Sequence, residues 1–150
     1  MALAPLDPET ITHGIQLAVA PVFLLTAVAG MIGAVAGRLA RIIDRARVVE
    51  QQARDSPDDR LLARAAAELG TLRLRGRLAN GCIALLTLCA FLIGLTIILL
   101  FLGETTGFLG ARWAVGGFLS GVGCFLLALL CFLAETFIAT RLLNFELLGR

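Results

Sequence analysis

The chain has 150 residues, 59% of them hydrophobic, and a mean hydropathy of +0.91. This composition excludes an ordinary water-soluble domain of this length and indicates an integral membrane protein. The formal net charge of +2 is informative only through its distribution, because the charged residues are confined to a few segments.

Long stretches without basic residues predict three membrane-spanning helices. No lysine or arginine occurs in residues 1–37, 78–111 or 113–140. About 20 apolar residues, rising about 1.5 Å each, cross about 30 Å of hydrocarbon, so each stretch is long enough to span a bilayer. The expected fold class is an all-α membrane protein, with a leader over residues 1–14 and transmembrane helices over residues 15–37, 80–102 and 113–138.

A cleavable signal peptide is the alternative interpretation of the first span, because Ala34-Val35-Ala36 resembles a cleavage site. Signal peptides begin with basic residues and have a shorter apolar core. This chain has Asp7 and Glu9 as its first charged residues and then stays apolar for more than 20 residues. We therefore expect the first span to be retained.

Three residues of the first span predict a polar path. Pro21 has no backbone N–H, so it leaves one helix carbonyl without its usual donor. Such a carbonyl, together with Gln16 and Thr26, would suit the lining of a pore. The alternative is a kink that packs against neighbouring helices.

Small residues recur at every fourth position on two of the spans. Ala29, Gly33 and Gly37 form one such face, and Gly117 and Gly121 form another. In lipid, small residues let helices approach closely, and close packing is a main source of association energy. The pattern fits contacts within one chain as well as between chains. Because three spans make only a thin bundle, we expect a homo-oligomer.

Residues 38–79 predict an antiparallel hairpin of two helices, each continuous with a membrane span. Small and apolar residues follow one another at intervals of three and four, which is typical of a coiled-coil seam. They are Leu39, Ile42, Ala46, Val49 and Ala53, followed by Leu62, Ala65, Leu69, Leu72, Gly76 and Ala79. Between these runs, residues 55–59 predict a helix end, then Ser56 as N-cap and Pro57 as the first residue of the next helix.

Charge pairs are expected along this hairpin. If both helices leave the membrane at the same level, Arg47 lies beside Glu68, and Glu50 lies beside Arg64. Each exposed pair would contribute only about 0.2 to 1 kcal/mol. The pairing is therefore a hypothesis about register rather than about stability.

Arginines at the base of the hairpin are candidates for binding anions. The set is Arg38, Arg41, Arg45, Arg73 and Arg77. One interpretation is a basic collar at the mouth of a pore, or a site for anionic lipid head groups. The other is the excess of arginine that cytoplasmic loops of membrane proteins carry for topology alone.

The same charge distribution predicts the orientation. Residues 38–79 hold ten arginines against six acidic residues, whereas the loop over residues 103–112 holds only Arg112 and Glu104. The positive-inside rule places the hairpin and the tail over residues 139–150 in the cytoplasm. The leader and the short loop would then lie outside.

Glu135 is an acid within the third span, where an unpaired charge is costly and is usually functional. Arg38 and Arg77 are expected at a similar depth, so a structural ion pair and a pore or proton role are both open.

Cys89 and Cys131 are also expected at a similar depth, which would allow a disulfide or a soft-metal contact. A cysteine in lipid is more often a small apolar residue.

Two stretches carry a family resemblance: IQLAVAPVFLLT over residues 15–26 and RLARIIDRAR over residues 38–47. With these, the chain resembles, over most of its length, the bacterial membrane protein family known as domain of unknown function 2721. The resemblance implies a small bacterial membrane protein with no assigned chemistry. It supports the topology and leaves the function open.

No pattern in the sequence points to catalysis. There is no glycine-rich phosphate loop, nucleophile elbow, metal motif or spaced acid pair, so we expect no enzymatic activity, cofactor or metal. Nucleic-acid binding is not expected either, because the arginine-rich stretch lacks aromatic residues and is held against a membrane. The expected partners are the lipid bilayer, further copies of the chain and anionic lipids.

The leading hypothesis is a non-enzymatic membrane protein that self-associates through its small-residue helix faces and forms an ion-conducting pore. The alternative is an accessory or scaffold protein that docks a cytoplasmic or membrane partner through the arginine-rich hairpin. Ion flux through the purified protein alone separates the two hypotheses, because a docking protein should conduct none.

Overall fold

The part of the chain described by the computed structural model consists of three α-helices. The structure describes residues 8–55, 58–106 and 111–148, with side chains for residues 112–140 and for residues 12–103 except 13, 14, 17, 56 and 57. Helix α1 is Pro8–Asp55, α2 is Asp59–Thr106 and α3 is Ala111–Leu148. At about 1.5 Å per residue, α1 and α2 are each about 70 Å long.

All three helices are long and apolar enough to cross a membrane. The qualifying segments are Ala18–Asp55, Asp59–Gly103 and Arg112–Thr140. The prediction of an all-helical chain with three helices of membrane-spanning length is therefore confirmed. Helices α1 and α2 also continue without a break past residues 37 and 80, the predicted borders of the hairpin.

Buried residues recur every seven positions on each helix. On α1 they are Val28, Val35, Ile42 and Val49, on α2 Leu72, Ala79, Leu86 and Ile93, and on α3 Ala114, Gly121, Ala128 and Glu135. Because two helical turns take about 7.2 residues, this period keeps one face of each helix turned toward its neighbours. Outside that face, large apolar side chains such as Phe23, Phe91 and Trp113 are exposed, which suits a surface in contact with lipid.

The chain divides into two compact units. The first unit comprises Met1–Met31 and Leu85–Leu126, and the second comprises Ile32–Ala84 and Leu127–Arg150. Each unit therefore takes a segment from each of the three helices. The predicted hairpin, residues 38–79, lies wholly within the second unit.

In the first unit, α3 packs closely on α2 through two glycines. A Cβ atom on Gly117 would lie 2.8 Å from Thr96 Oγ1, and one on Gly121 would lie 2.9 Å from Ile93 Cδ1. Both distances are shorter than real Cβ contacts, so any residue larger than glycine at these positions requires the Thr96 or Ile93 side chain to move. The predicted small-residue face of the third span is thus occupied by α2 of the same chain.

In the second unit, α1 and α2 pack through the apolar residues that the sequence places on one seam. Ile42, Val49 and Leu72 are buried together, and the partly buried side chains around them are Ala46, Ala65 and Leu69. Leu62 departs from the prediction, because it is 40% exposed near the start of α2. The apolar packing of the hairpin is therefore strongest away from its turn.

The start of α2 differs from the prediction. Asp58 has the hydrogen bonds of an N-cap: its Oδ1 accepts from the backbone N–H of Arg60 at 3.0 Å, and its carbonyl accepts from the backbone N–H of Leu61 at 3.0 Å. Helix α2 begins at Asp59, so Pro57 is not its first residue, and the structure of residues 56 and 57 lies outside the described part. Aspartate caps as well as serine does, and its charge is favoured at the positive end of the helix dipole.

The predicted charge pairs of the hairpin are wrong in their partners. Glu68 pairs with Arg45 at 2.8 Å rather than with Arg47, and Glu50 pairs with Arg54 of the same helix at 3.2 Å rather than with Arg64. Rotation about the helix axis explains the first difference. Arg45 follows a buried position by three residues and so flanks the packed face, whereas Arg47, two residues further on, points away from α2.

Candidate functional site

Three charged side chains, one from each helix, meet in the second unit. Arg75 on α2 donates two hydrogen bonds to Glu135 Oε1 on α3, from Nε at 3.0 Å and from Nη2 at 2.9 Å. Arg38 on α1 places its Nη1 3.1 Å from Glu135 Oε2. The Glu135 side chain is only 2% exposed, while those of Arg38 and Arg75 are 29% and 20% exposed. We refer to Arg38, Arg75 and Glu135 as the charged cluster.

The seven-residue period of burial explains why these residues meet. Glu135 is the last member of the buried series among the described side chains of α3, seven residues after Ala128. Arg38 and Arg75 each lie three residues after one buried residue and four before another, so both flank the packed faces of their helices. Long arginine side chains at such flanking positions can reach inward to a buried carboxylate while their heads stay partly exposed.

Arg38 is fixed by more than its ion pair. Its Nη1 donates a hydrogen bond to Thr136 Oγ1 at 2.8 Å, and the Thr136 hydroxyl donates in turn to the Phe132 carbonyl at 2.9 Å. The guanidinium carbon of Arg38 also lies 5.0 Å from the centre of the Phe132 ring, within the range of a cation–π contact. One turn of α3 thus holds this arginine through a carboxylate, a hydroxyl and a ring.

The charged cluster carries two cations and one anion, so it has an excess of one positive charge. Its hydrogen bonding is also incomplete among the described residues. Glu135 Oε2 accepts no hydrogen bond from a described atom, although Arg38 Nη1 lies 3.1 Å away. The Nε and Nη2 of Arg38 and the Nη1 of Arg75 donate to no described atom.

The sequence predicts part of this cluster. The ion pair between Glu135 and Arg38 is one of the two alternatives proposed for that acid, and it is present. The other proposed partner, Arg77, is exposed, and Arg75 takes its place. Arg75 was missed because Arg73, Arg75 and Arg77 are equivalent by depth alone. The phase of the buried residues on α2 is the signal that separates them, since only Arg75 flanks the buried face.

The predicted basic collar is divided in the structure. Arg38 belongs to the charged cluster, and Arg45 binds Glu68 through Nε and Nη2, both at 2.8 Å. Arg41, Arg73 and Arg77 are exposed on the surface of the second unit. The five arginines therefore do not converge on one point within a single chain.

The candidates for a polar path are not brought together either. Gln16 and Thr26 are exposed, whereas Pro21 lies on the buried side of α1. The Thr26 hydroxyl donates to the Val22 carbonyl of its own helix at 3.3 Å. Within one chain, these residues line no shared path among the described atoms.

The small-residue face of α1 is open. Ala29, Gly33 and Gly37 are exposed, and no described atom would lie within 4 Å of a Cβ placed on either glycine, apart from the helix itself. This distinguishes them from Gly117 and Gly121, which are filled by α2. The sequence alone does not separate the two faces.

The four cysteines are free and lie in two pairs between α2 and α3. Cys82 lies near Cys131 in the second unit, and Cys89 lies near Cys124 in the first, so the neighbour of Cys131 is Cys82 rather than the predicted Cys89. The Cys82 thiol donates to the Ala128 carbonyl at 3.2 Å. In the part of the chain that the structure describes, no group of three or more His, Cys, Asp or Glu residues could hold a metal ion.

Comparison with known protein families gives one match. Residues 18–145 match the model of the family described as Protein of unknown function (DUF2721). No curated protein and no solved structure matches the chain.

Proposed function

Because the chain belongs to the DUF2721 family, whose function is unknown, we propose a function from the geometry of the chain itself. The chain is a subunit of a homo-oligomeric membrane protein that assembles through the small-residue face of α1. The observation that carries this proposal is the open surface at Gly33 and Gly37.

That face has the spacing of a second packing seam. Gly33, Gly37, Ala40 and Asp44 follow one another at intervals of four, three and four residues, and all are exposed. Seven-residue periodicity also describes the buried side of α1, where it brings helices together within the chain. In lipid, glycines that touch no other side chain leave backbone surface available for close approach of another helix. A second copy of α1 supplies such a helix.

Substitution by leucine tests the assembly. Gly33→Leu with Gly37→Leu should reduce the particle mass measured in nanodiscs to that of one chain, because two large side chains prevent close approach. Gly116→Leu is the matched control, since Gly116 is likewise exposed with no described atom within 4 Å of a Cβ. A wild-type protein of single-chain mass, or an unchanged mass in the double variant, would exclude this face as the contact.

We propose ion conduction as the activity of the assembly, with α1 nearest the axis. Thr26 is exposed seven residues before Gly33, so it shares the proposed contact face and would lie close to its copies. Gln16 is exposed on the same helix. Purified protein in liposomes should give an ion flux that Thr26→Val and Gln16→Leu reduce. Absence of flux from an intact oligomer would refute conduction and leave the assembly standing.

We also propose that the protein lies in a bacterial inner membrane, with the hairpin on its cytoplasmic side. The ten arginines of residues 38–79 support this orientation through the positive-inside rule. Cysteine labelling tests it: a cysteine introduced at Arg60, in a background without the four native cysteines, should react with an impermeant maleimide only after the membrane is opened. Reaction in intact cells would reverse the orientation.

A docking function is the second candidate, favoured by a groove near the turn of the hairpin. The groove has a volume of about 300 Å³ and is lined by Val49, Gln52, Ala53, Leu61, Arg64, Ala65 and Glu68. At this groove Leu61 and Leu62 are 48% and 40% exposed. Both leucines lie outside the apolar part of α2, so lipid is not expected to cover them. A docking protein should show no flux alone and should recover one defined partner that Leu61→Gln with Leu62→Gln loses. Recovery that survives this change would exclude the groove.

A further inference from the structure

The base of the hairpin carries far more positive than negative charge. Residues 38–47 and 68–77 hold seven arginines, and the acids of these segments are Asp44 and Glu68. Glu135 adds one further acid from α3. Lysine and histidine are absent from these segments, so guanidinium groups carry all of this positive charge.

Within this region, the charged cluster presents guanidinium groups in fixed positions with donors to spare. Glu135 holds both arginines, and Thr136 and Phe132 restrain Arg38 from the same turn of α3. The Nε and Nη2 of Arg38 and the Nη1 of Arg75 donate to no described atom, while both side chains remain partly exposed. Arginine donors held in a rigid fork match the oxygens of a phosphate group well.

The position of the charged cluster along the helices indicates which ligand it could bind. Arg38 is the first basic residue of α1 after its apolar segment, and Arg77 is the last basic residue of α2 before its own. The cluster thus lies where charged segments give way to segments of lipid-spanning composition, which is the depth of phospholipid phosphates. A cation is disfavoured here, because the carboxylate is already outnumbered by two guanidinium groups.

We propose that Arg38 and Arg75, oriented by Glu135, form a binding site for a phosphate group. Its two sources are the phosphodiester of an anionic lipid head group and a soluble phosphate. Arg38 and Arg75 bind the oxygens directly, and Glu135 acts as a positioning residue that keeps the two guanidinium groups together. This site does not depend on oligomerisation, since all of its residues belong to one chain.

Replacement by lysine removes the planar fork of donors and keeps the positive charge that pairs with Glu135. In Arg38→Lys with Arg75→Lys, each ammonium can still pair with the carboxylate but cannot offer a second, fixed edge to phosphate. Arg60→Lys, an exposed change in the first turn of α2, is the matched control. Circular dichroism establishes that each variant is helical. If the double variant does not fold, Arg38→Lys alone serves for the same comparison.

Two arms distinguish the sources of phosphate. In the first arm, inorganic phosphate is titrated into protein in neutral detergent, with binding followed by calorimetry. In the second, protein from micelles of equal phosphatidylglycerol and phosphatidylcholine is analysed by native mass spectrometry for retained lipid. Binding in the first arm assigns a soluble phosphate, whereas enrichment of phosphatidylglycerol in the second arm alone assigns the lipid.

The expected result is at least tenfold weaker phosphate binding, or loss of phosphatidylglycerol enrichment, in the lysine variant and wild-type behaviour in Arg60→Lys. Equal binding by the wild type and the lysine variant in both arms would overturn the proposal. So would equal retention of the two lipids by the wild type together with no binding of phosphate.

Discussion

Removing the Glu135 charge should destabilise the protein more than any exposed charge change. In Glu135→Gln, the shape of the side chain is kept, but two guanidinium groups that share a carboxylate at 2.9 to 3.1 Å are left facing each other. Loss of one partner from a fully buried ion pair costs about 3–5 kcal/mol. Arg38 and Arg75 are 29% and 20% exposed, so water screens part of the repulsion and we expect about 1–3 kcal/mol.

Thermal unfolding in detergent measures this loss. For a chain of this size, about 1 kcal/mol corresponds to about 2–4 °C, so Tm should fall by about 4–8 °C for a loss near the middle of the range. Glu50→Gln is the matched control: it breaks an exposed pair with Arg54 on one helix and should shift Tm by less than about 2 °C.

An apolar replacement of the whole cluster separates charge imbalance from packing. Arg38→Met, Arg75→Met and Glu135→Leu together remove every charge, so the triple variant should recover much of the stability lost in Glu135→Gln. Unfolding of Glu135→Gln at the wild-type temperature would show that the charge imbalance costs no stability. A triple variant less stable than Glu135→Gln would show that packing, rather than charge, accounts for the loss.

Three further predictions concern helix packing and the hairpin. Gly121→Val should lower stability by about 1–3 kcal/mol, measured by denaturant unfolding in micelles, because its Cβ would lie 2.9 Å from a side chain of α2; equal stability would contradict the close approach. A double-mutant cycle on Arg45 and Glu68 should give a coupling of about 0.2–1 kcal/mol, and the cycle with Arg47 in place of Arg45 should give none. Asp58→Ala should cost about 1 kcal/mol, whereas Asp58→Asn should retain most of the stability, because asparagine also caps; similar losses in both would argue against the cap.

The three spans were predictable because hydropathy and charge are recorded directly in the composition of each segment. The hairpin was predictable in part, since the alternation of three and four residues identifies a packed face such as that of Ile42 and Val49. The partner of Glu68 was not predictable, because the pattern of a helix face does not show which flanking arginine points toward the neighbouring helix. A change of two residues, from Arg45 to Arg47, turns the side chain by more than half a circle.

The partners of Glu135 were also only partly predictable from the sequence. Depth alone associates Glu135 with the arginines near residue 75, but it cannot choose among three of them separated by two positions each. The pairing of Cys82 with Cys131 depends on the register of α2 against α3, which composition does not specify. The two glycine patterns were likewise indistinguishable by sequence. In the structure α2 packs against Gly121, whereas no described atom would lie within 4 Å of a Cβ on Gly33.

The placement of Glu135 has a consequence for how the chain enters a membrane. The buried positions before it on α3 are Ala114, Gly121 and Ala128, all small, so the acid is the one costly member of that series. An acid near the middle of an inserting helix opposes insertion by about 2.5–3.5 kcal/mol, and less toward the ends. Both arginines precede Glu135 in the order of synthesis, so they are already available when the carboxylate emerges. Because ion pairs with these arginines offset the cost of burying the acid, we expect the last helix to be retained best in chains whose hairpin has already formed.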